Sequence, residues 1–250
     1  MSEDAFLRHY RRFFGMDEGR FASGETVFAC GQRTVPVCWH SVTPLLATVW
    51  RDRVVFSVDP AHEDRVRRWF GDLEFDALDD ALLGEMDDCF HEVLPLRDPW
   101  RMLRLTVTPQ DLVLPAGIER VEVVTEEHRD AYHARMRPRG KRTRRFSWVR
   151  SRKIREEGRK FAVMEDGEVA ADGFVSDIDH RGGNLAVHTA EKHRRKGHGA
   201  AVVAAAARWC FEHDVVPVYW VEQKNEPSVH LAEALGFARR HEELTIRVVR

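Results

Sequence analysis

The chain has 250 residues, of which 43% are hydrophobic and 32% are charged, which is typical of a globular protein and excludes disordered and collagen-like chains. Lys and Arg number 39 against 41 Asp and Glu, and the net charge of −2 excludes a bulk attraction to nucleic acid or to an anionic membrane. The longest apolar run, residues 200–207, is far shorter than the roughly 20 residues of a membrane-spanning helix. Because the N-terminus lacks an apolar signal core and four cysteines make no disulfide framework, we expect a cytoplasmic protein.

The first 118 residues show the patterns of a mixed α+β domain. The β-branched and aromatic residues of Leu45 to Val58 surround a polar segment, Arg51-Asp52-Arg53, which predicts two strands joined by a short turn. The further elements predicted in this half are helices over Pro60–Phe70 and Asp79–Val93 and a strand over Arg101–Thr108. We find no catalytic signature in this half.

Two stretches carry charge of one sign. Residues 72–92 contain nine acidic side chains and no Lys or Arg, whereas residues 135–160 contain thirteen basic side chains and two glutamates. Three interpretations stay open: two solvated helix faces, a basic stretch that attracts a phosphate or an acidic ligand, and docking of the acidic stretch on the basic one.

From Glu119 onwards the predicted elements follow one another closely. They are a strand over Val121–Val124, helices over Glu126–Met136 and Ser147–Glu157 around a loop at 137–145, strands over Phe161–Met164, Val169–Ile178 and Leu185–Thr189, a helix over Ala200–His213, a strand over Val215–Val221, a helix to Leu235 and a strand over Glu243–Val249. Asp166-Gly167 and Gly182-Gly183 are expected to supply the positive φ angles of two tight turns.

A glycine-containing turn joins the predicted strand Leu185–Thr189 to the alanine-rich helix. Its sequence is Arg194-Arg195-Lys196-Gly197-His198-Gly199-Ala200. A strand, a glycine turn and a helix N-terminus together present unpaired N–H groups to an anion, and the helix dipole favours negative charge there. The two glycines allow a pyrophosphate to approach the backbone, and the basic side chains from Lys192 onwards add charge-assisted contacts. The turn is neither a Rossmann nor a P-loop motif, so a glycine-rich entry to a buried helix stays the alternative.

A second segment, Asn225-Glu226-Pro227-Ser228, follows the next strand. Asn225 suits a helix N-cap, Pro227 suits a first turn and Gly236 suits a helix end.

The turn and this segment together resemble the GNAT superfamily of acetyl-CoA-dependent N-acetyltransferases over about residues 119–250. Arg194 to Gly199 is similar to its [Q/R]-x-x-G-x-[G/A] pyrophosphate loop, and Asn225 to Phe237 is similar to its Asn-x-x-Ser…Gly-Phe segment. The stretches HYRRFFG and LAEALGF also resemble the branch of zwittermicin-resistance acetyltransferases. The resemblance implies an α+β chain with a GNAT fold over 119–250, a mixed and largely antiparallel twisted sheet flanked by helices, after the N-terminal domain 1–118.

The resemblance also implies acetyl-CoA as co-substrate and assigns its contacts. Strand residues before the turn hold the pantetheine arm through their backbone, and the N–H groups of the turn hold the pyrophosphate. The implied cofactor-binding residues are Val187, His188, Thr189, Arg194, Arg195, Lys196, Gly197, His198, Gly199, Ala200, Asn225 and Ser228.

The groups that transfer protons are less evident. The tyrosine and the glutamate that often do so in this family are replaced by Ala232 and by Gly183 or a neighbour. Strand alternation directs Glu222 away from Tyr219, towards the side expected for the acceptor, and His188 on the neighbouring strand is expected to share that face. Glu222 and His188 are therefore the catalytic candidates. Direct attack of the amine helped by positioning alone stays open.

The resemblance implies transfer of an acetyl group to a primary amine of a small molecule, such as an antibiotic, by direct attack in a ternary complex. A non-catalytic acyl-CoA-binding or sensing module that lost its acid and base groups is the alternative.

Nucleic-acid binding through residues 135–160 is disfavoured by the net charge and the few interleaved aromatic residues. No metal is expected, because paired ligand spacings are absent around Cys30, Cys38 and His40. The N-terminal half is expected to form an acceptor-pocket wall or an interface, and a homodimer stays open.

Overall fold

The computed structural model describes residues 3–36, 41–136 and 147–249, so Cys38, His40 and the predicted loop 137–145 lie outside the described residues. The chain divides into two compact units. Unit 1 contains Val107–Tyr219 and Pro227–Ala238, and unit 2 contains Ser2–Thr106, Trp220–Glu226 and Arg239–Arg250. The domain boundary predicted between residues 118 and 119 falls inside unit 1, and the C-terminal strand belongs to unit 2.

The described residues form both helices and strands in each unit. The helices are α1 (Glu3–Phe14), α2 (Glu18–Ala22), α3 (Glu63–Phe70), α4 (Asp80–Phe90), α5 (Arg129–Arg135), α6 (Arg152–Glu156), α7 (His198–Glu212) and α8 (Glu226–Ala234), and residues 147–150 are also helical. The strands are β1 (Val27–Ala29), β2 (Ser41–Trp50), β3 (Arg53–Val58), β4 (Arg97–Thr106), β5 (Val121–Val123), β6 (Lys160–Glu165), β7 (Glu168–Asp179), β8 (Gly182–Thr189), β9 (Val216–Glu222) and β10 (Ala238–Val249).

The strands of unit 2 follow the order β1-β3-β2-β10-β4. β2 and β3 form the predicted hairpin, which is confirmed, and its turn residues Arg51 and Asp52 have φ angles of 45° and 68°. β10 pairs antiparallel with β2, for example Ile246 with Leu45. Helices α3 and α4 pack Phe70 and Met86 into the core that covers one face of these strands.

An ion pair lies buried between two strands of unit 2. Nε of Arg104 lies 2.6 Å from Oε1 of Glu243, and both side chains are nearly inaccessible to solvent. The indole N–H of Trp220 donates to Oε2 of Glu243 at 2.8 Å. On β10, the ring of His241 stacks on that of Tyr10 with 3.9 Å between centroids. Unit 2 therefore places charged and titratable groups inside an aromatic core.

Unit 1 contains β5 to β8 and the residues of β9 up to Tyr219, in the strand order β9-β8-β7-β6-β5. The strands predicted over Phe161–Met164, Val169–Ile178 and Leu185–Thr189 correspond to β6, β7 and β8, which pair antiparallel in that order. β5 pairs antiparallel with β6, and β9 joins β8 in parallel. Helix α7 packs on one face of β7, where a Cβ at Gly173 would lie 3.0 Å from Val202. The turn at Asp166-Gly167 has the predicted positive φ angles, 52° and 75°.

The prediction that Gly182-Gly183 form the next turn is wrong. The residues with positive φ are His180 and Arg181, at 43° and 68°, and both glycines lie within β8. Packing explains Gly183 instead, because a Cβ there would lie 2.6 Å from Val175 and 2.8 Å from Val215. A glycine pair indicates a turn or a close packing contact equally well, and only the fold distinguishes them.

The cysteines Cys30, Cys89 and Cys210 are buried free thiols. Burial raises the pKa of Cys89 to about 11 and that of Cys210 to about 12, so neither is a reactive thiolate at neutral pH.

Within the ranges that the structure covers, no helix combines the length and the apolar character that crossing a membrane requires.

Candidate functional site

The predicted glycine turn lies between β8 and α7, in unit 1. Arg195 and Gly197 have left-handed φ angles of 63° and 81°, and α7 begins directly after Gly197. No side chain in the described ranges caps the helix, and its first hydrogen bond runs from the Ala201 N–H to the Gly197 carbonyl at 3.1 Å. Within the described part of the chain, the N–H groups from Arg195 to Ala200 donate to no protein acceptor. The start of α7 therefore offers unused donors and the positive end of a helix dipole to an anion.

The two glycines of the turn have different structural reasons. A Cβ at Gly197 would have no atom of the described chain within 4 Å, so its positive φ is what favours glycine and the approach to the amides is open. At Gly199, a Cβ would lie 2.8 Å from Oγ1 of Thr189 and 3.1 Å from Cδ1 of Leu231. Gly199 thus allows α7 to pack closely on β8.

Basic side chains surround the turn. Arg194 and Arg195 are exposed and form no ion pair with any residue that the structure describes. Lys196, in contrast, donates to both oxygens of Glu165, at 3.0 and 3.1 Å. The two arginines are therefore available to an anion, whereas Lys196 has a partner within the protein.

Strand β8 has one edge that β9 leaves unpaired. The Ala190 N–H donates to Ala170 at 2.9 Å, and the antiparallel register then pairs His188 with Asp172 through their backbones. The backbone groups of Val187 and Thr189 point to the opposite edge, where the pairing with β9 covers only Gly182–Asn184 among the described residues. Three residues were predicted to hold a pantetheine arm. The backbone groups of Val187 and Thr189 point to this edge and can do so, whereas the backbone groups of His188 already pair with β7.

The side chain of His188 lies on the face of β8 opposite to α7, next to a buried carboxylate. Its Nδ1 lies 3.9 Å from Oδ1 of Asp172. Arg135 donates to that oxygen at 2.6 Å, and Nζ of Lys160 lies 3.3 Å from the other oxygen, Oδ2. Burial alone would raise the pKa of Asp172, but Lys160 and Arg135 outweigh it and hold the pKa below its ordinary value. The His188 side chain is 57% exposed, so its imidazole is accessible to a ligand.

Glu165, which the sequence did not indicate, contacts the turn from the end of β6. Besides Lys196, its carboxylate lies 3.2 Å from Nε2 of His198 and 2.6 Å from Nδ1 of His193. The hydrogen bond from Lys196 is the largest of the causes that lower the pKa of Glu165 to about 2. No local pattern reveals this contact, since Glu165 belongs to a hairpin distant in sequence.

The second predicted segment divides between the units. Ser228 of α8 shares a hydrogen bond of 2.7 Å with the hydroxyl of Tyr219, whose pKa is raised by burial. Ala232, where the family resemblance places a tyrosine, is fully buried. Asn225 and Glu222 belong to the segment Trp220–Glu226 of unit 2, where the Asn225 N–H donates to the Glu222 carbonyl at 2.9 Å. Their roles stay predictions.

Comparison with known proteins found one family model and several solved structures that are similar to this chain. Residues 121–237 match the model of the acetyltransferase (GNAT) family. A GNAT-family acetyltransferase from Colwellia psychrerythraea is 11% identical with a TM-score of 0.52, over 99% of this chain and 97% of that chain. A Drosophila protein is 12% identical with a TM-score of 0.52, over 98% of this chain and 89% of that chain. No curated protein matches the chain.

These likenesses show the fold, a mixed sheet flanked by helices as in the GNAT neighbours, and the predicted fold class is confirmed. The family model that matches residues 121–237 is that of acetyltransferases, and the two solved structures share the fold. The matched range contains both the turn before α7 and the Asn225–Phe237 segment on which the resemblance depends.

Proposed function

We propose that the protein is an N-acetyltransferase that transfers the acetyl group of acetyl-CoA to a primary amine of a small molecule. The observation that carries the proposal is the start of α7. There, N–H groups that donate to no acceptor among the described residues lie beside an open glycine and two exposed arginines. The acceptor class, with an antibiotic as the first candidate, rests on the resemblance to zwittermicin-resistance acetyltransferases. Neither a nucleic acid nor a membrane is part of this proposal.

In this proposal the cofactor uses two adjoining sets of backbone groups. The pyrophosphate accepts hydrogen bonds from the N–H groups at the start of α7, and Arg194 and Arg195 add charge-assisted contacts. The pantetheine arm lies along the edge of β8 and bonds with Val187 and Thr189, as an added strand would. Acetyl-CoA supplies the activated acyl group.

Few side chains are candidates for the proton transfers of the reaction. The attacking amine must lose a proton and the departing thiolate must gain one. His188 is a candidate base because its imidazole is accessible and Asp172 lies behind its Nδ1 at 3.9 Å. Glu222 is the other candidate, and direct attack needs neither of them if positioning alone suffices. Ala232 and Gly183 carry no group that transfers protons, which also supports a sensing module as the second candidate function.

The cofactor part is tested by replacing Gly197 with Val and titrating coenzyme A by calorimetry. We expect the affinity to fall at least about tenfold, since a β-branched residue is strained at a φ of 81° and shields the amides of the turn. The matched control is Gly158→Val, because Gly158 also has a positive φ, 67°, with open space around its Cβ. The control should lose comparable stability and keep its affinity. Equal weakening in both variants, or no binding by the unchanged protein, contradicts the proposed cofactor site.

The transfer itself is tested with acetyl-CoA, a panel of amines and a thiol-release assay. We expect turnover with at least one amine, and we expect His188→Ala to lower kcat/KM at least about tenfold without changing the Kd for acetyl-CoA, because general-base catalysis contributes at least that factor. Glu222→Gln serves as the comparison. A loss confined to Glu222→Gln assigns the base to Glu222, and binding without turnover on any amine supports the sensing module.

A further inference from the structure

Three side chains beside the turn direct ligand atoms to one point. Glu165 ends β6, His193 precedes the turn and His198 begins α7. Oε2 of Glu165 lies 2.6 Å from Nδ1 of His193 and 3.2 Å from Nε2 of His198, and one ligand atom from each residue lies within 4.8 Å of the others. The proposed acetyl transfer uses none of these atoms.

His193 is the member whose environment requires an explanation. Its ring is buried, and among the residues that the structure describes neither ring nitrogen forms an aligned hydrogen bond, although Nδ1 forms an ion pair with Glu165 at 2.6 Å. The close contact therefore lacks the alignment of a hydrogen bond. Buried polar nitrogens without a bond are rare because they lose their water without compensation. A metal ion between the ring and the carboxylate would satisfy both groups.

We propose that Glu165, His193 and His198 bind a divalent transition-metal ion, with Zn²⁺ as the ion that fits best. Bonds of about 2.0–2.2 Å in a tetrahedral zinc site place the ligand atoms about 3.3 Å apart. The Glu165 oxygen lies 2.6 Å from His193 and 3.2 Å from His198, and all three ligand atoms lie within 4.8 Å of one another, so small side-chain shifts reach that value. Two imidazoles and one carboxylate form a zinc ligand set, whereas Mg²⁺ and Ca²⁺ prefer oxygen ligands.

No metal was expected from the sequence, because metal sites usually bring their ligands in tight pairs and the sequence has no such pair around Cys30, Cys38 and His40. The two histidines are separated by four residues that include the left-handed turn, and the third ligand comes from another hairpin. Only the packing of the β6–β7 hairpin against the start of α7 brings the three together. The site lies wholly within unit 1.

Lys196 competes with the ion for Glu165. Its ammonium lies 3.0 Å from one carboxylate oxygen and 3.1 Å from the other, so its charge opposes a second cation there. The Lys196 side chain is 46% exposed and can leave Glu165 for solvent. Metal binding accordingly exchanges one cation for another at this carboxylate. Removal of the lysine charge should strengthen metal binding, which no purely structural ion pair would predict.

The experiment titrates the full chain, freed of metal with a chelator, with ZnCl₂ by calorimetry and with CoCl₂ by visible absorption. We expect one Zn²⁺ per chain, a tetrahedral Co²⁺ spectrum and a higher Tm with Zn²⁺, and no such response to MgCl₂. Glu165→Gln and His198→Gln should each weaken Zn²⁺ binding at least about tenfold, as loss of a ligand does, and Lys196→Met should strengthen it several-fold. The control His213→Gln removes an exposed histidine and should change nothing.

Zinc affinity that is equal in Glu165→Gln, His198→Gln and the unchanged protein overturns the proposal, as does the absence of binding. Glu165→Gln keeps the size of a partly exposed side chain, so its result does not depend on whether a His193 variant folds. Because coenzyme A binding is a separate measurement, failure of the metal site and failure of the proposed transferase are distinguishable.

Discussion

Replacing Glu243 with Gln is expected to lower the free energy of unfolding by about 3–5 kcal/mol, the usual cost of removing one partner from a buried ion pair. The variant keeps the shape of the side chain but leaves the guanidinium of Arg104 buried without its carboxylate. A second buried guanidinium, that of Arg33, lies on the same aromatic ring, since both are 4.3 Å from the centroid of Phe13. Burial already lowers the pKa of Arg33, so this core tolerates further positive charge poorly.

The measurement is urea unfolding at neutral pH, with an exposed pair as the reference. Glu156→Gln breaks the pair between Arg152 and Glu156 on α6, whose side chains are 72% and 61% exposed, and should cost less than about 1 kcal/mol. The double variant Arg104→Met/Glu243→Leu should recover much of the lost stability, because it removes both buried charges. If Glu243→Gln costs no more than Glu156→Gln, the carboxylate does not stabilise this core.

The elements that the sequence predicted well depend on local patterns. The β2–β3 hairpin follows from β-branched residues around a polar turn, and α4 follows from Asp79, whose side chain accepts from the Leu82 N–H as an N-cap. Helix α1 was missed although Phe6, Tyr10 and Phe13 recur at the spacing of one helix face and are buried. That periodicity was a usable signal.

Pairings between distant segments left no such signal. β10 hydrogen-bonds with β2, so the last strand of the chain, from Arg239 onwards, belongs to the unit that also contains Ser2–Thr106. Strand β1 has three residues and pairs in parallel with β3, a contact that no short window of sequence encodes.

In the candidate site, too, residues defined by a local pattern were predictable and residues brought in by long-range packing were not. The turn before α7 was predictable because its residues are consecutive and glycine, charge and the following helix coincide within ten positions. Glu165 and Asp172 were not, because each belongs to a strand and meets its partners only through packing. Period-two alternation did place His188 on a face of β8, but it could not show which backbone edge β7 occupies.

Below pH 6.5 the free energy of unfolding is expected to fall, with a contribution of about 3 kcal/mol from His241 by pH 4. Burial lowers the pKa of His241 from 6.5 to about 4, because the ring stacks on Tyr10 and packs near Trp50 in an aromatic cluster. Glu243 opposes the shift, whereas Arg104 and Arg240 add to it. The unfolded chain binds a proton at this position from pH 6.5 downwards and the folded chain only near pH 4. The contribution of His241 to the free energy of unfolding is therefore fully present above pH 6.5 and fully lost below pH 4.

Carboxylates also change stability over this window, so the measurement is the difference between the protein and His241→Phe in urea unfolding at several pH values. Phe keeps a ring in the stack and cannot bind a proton, and any packing cost it adds is the same at every pH. The variant should lose about 3 kcal/mol less than the unchanged protein between pH 7 and pH 4. His213→Phe is the matched control, because His213 also stacks on a ring, that of Trp209, at 3.9 Å but is exposed. Parallel stability curves for the protein and His241→Phe would show that the imidazole of His241 is not held neutral by the core.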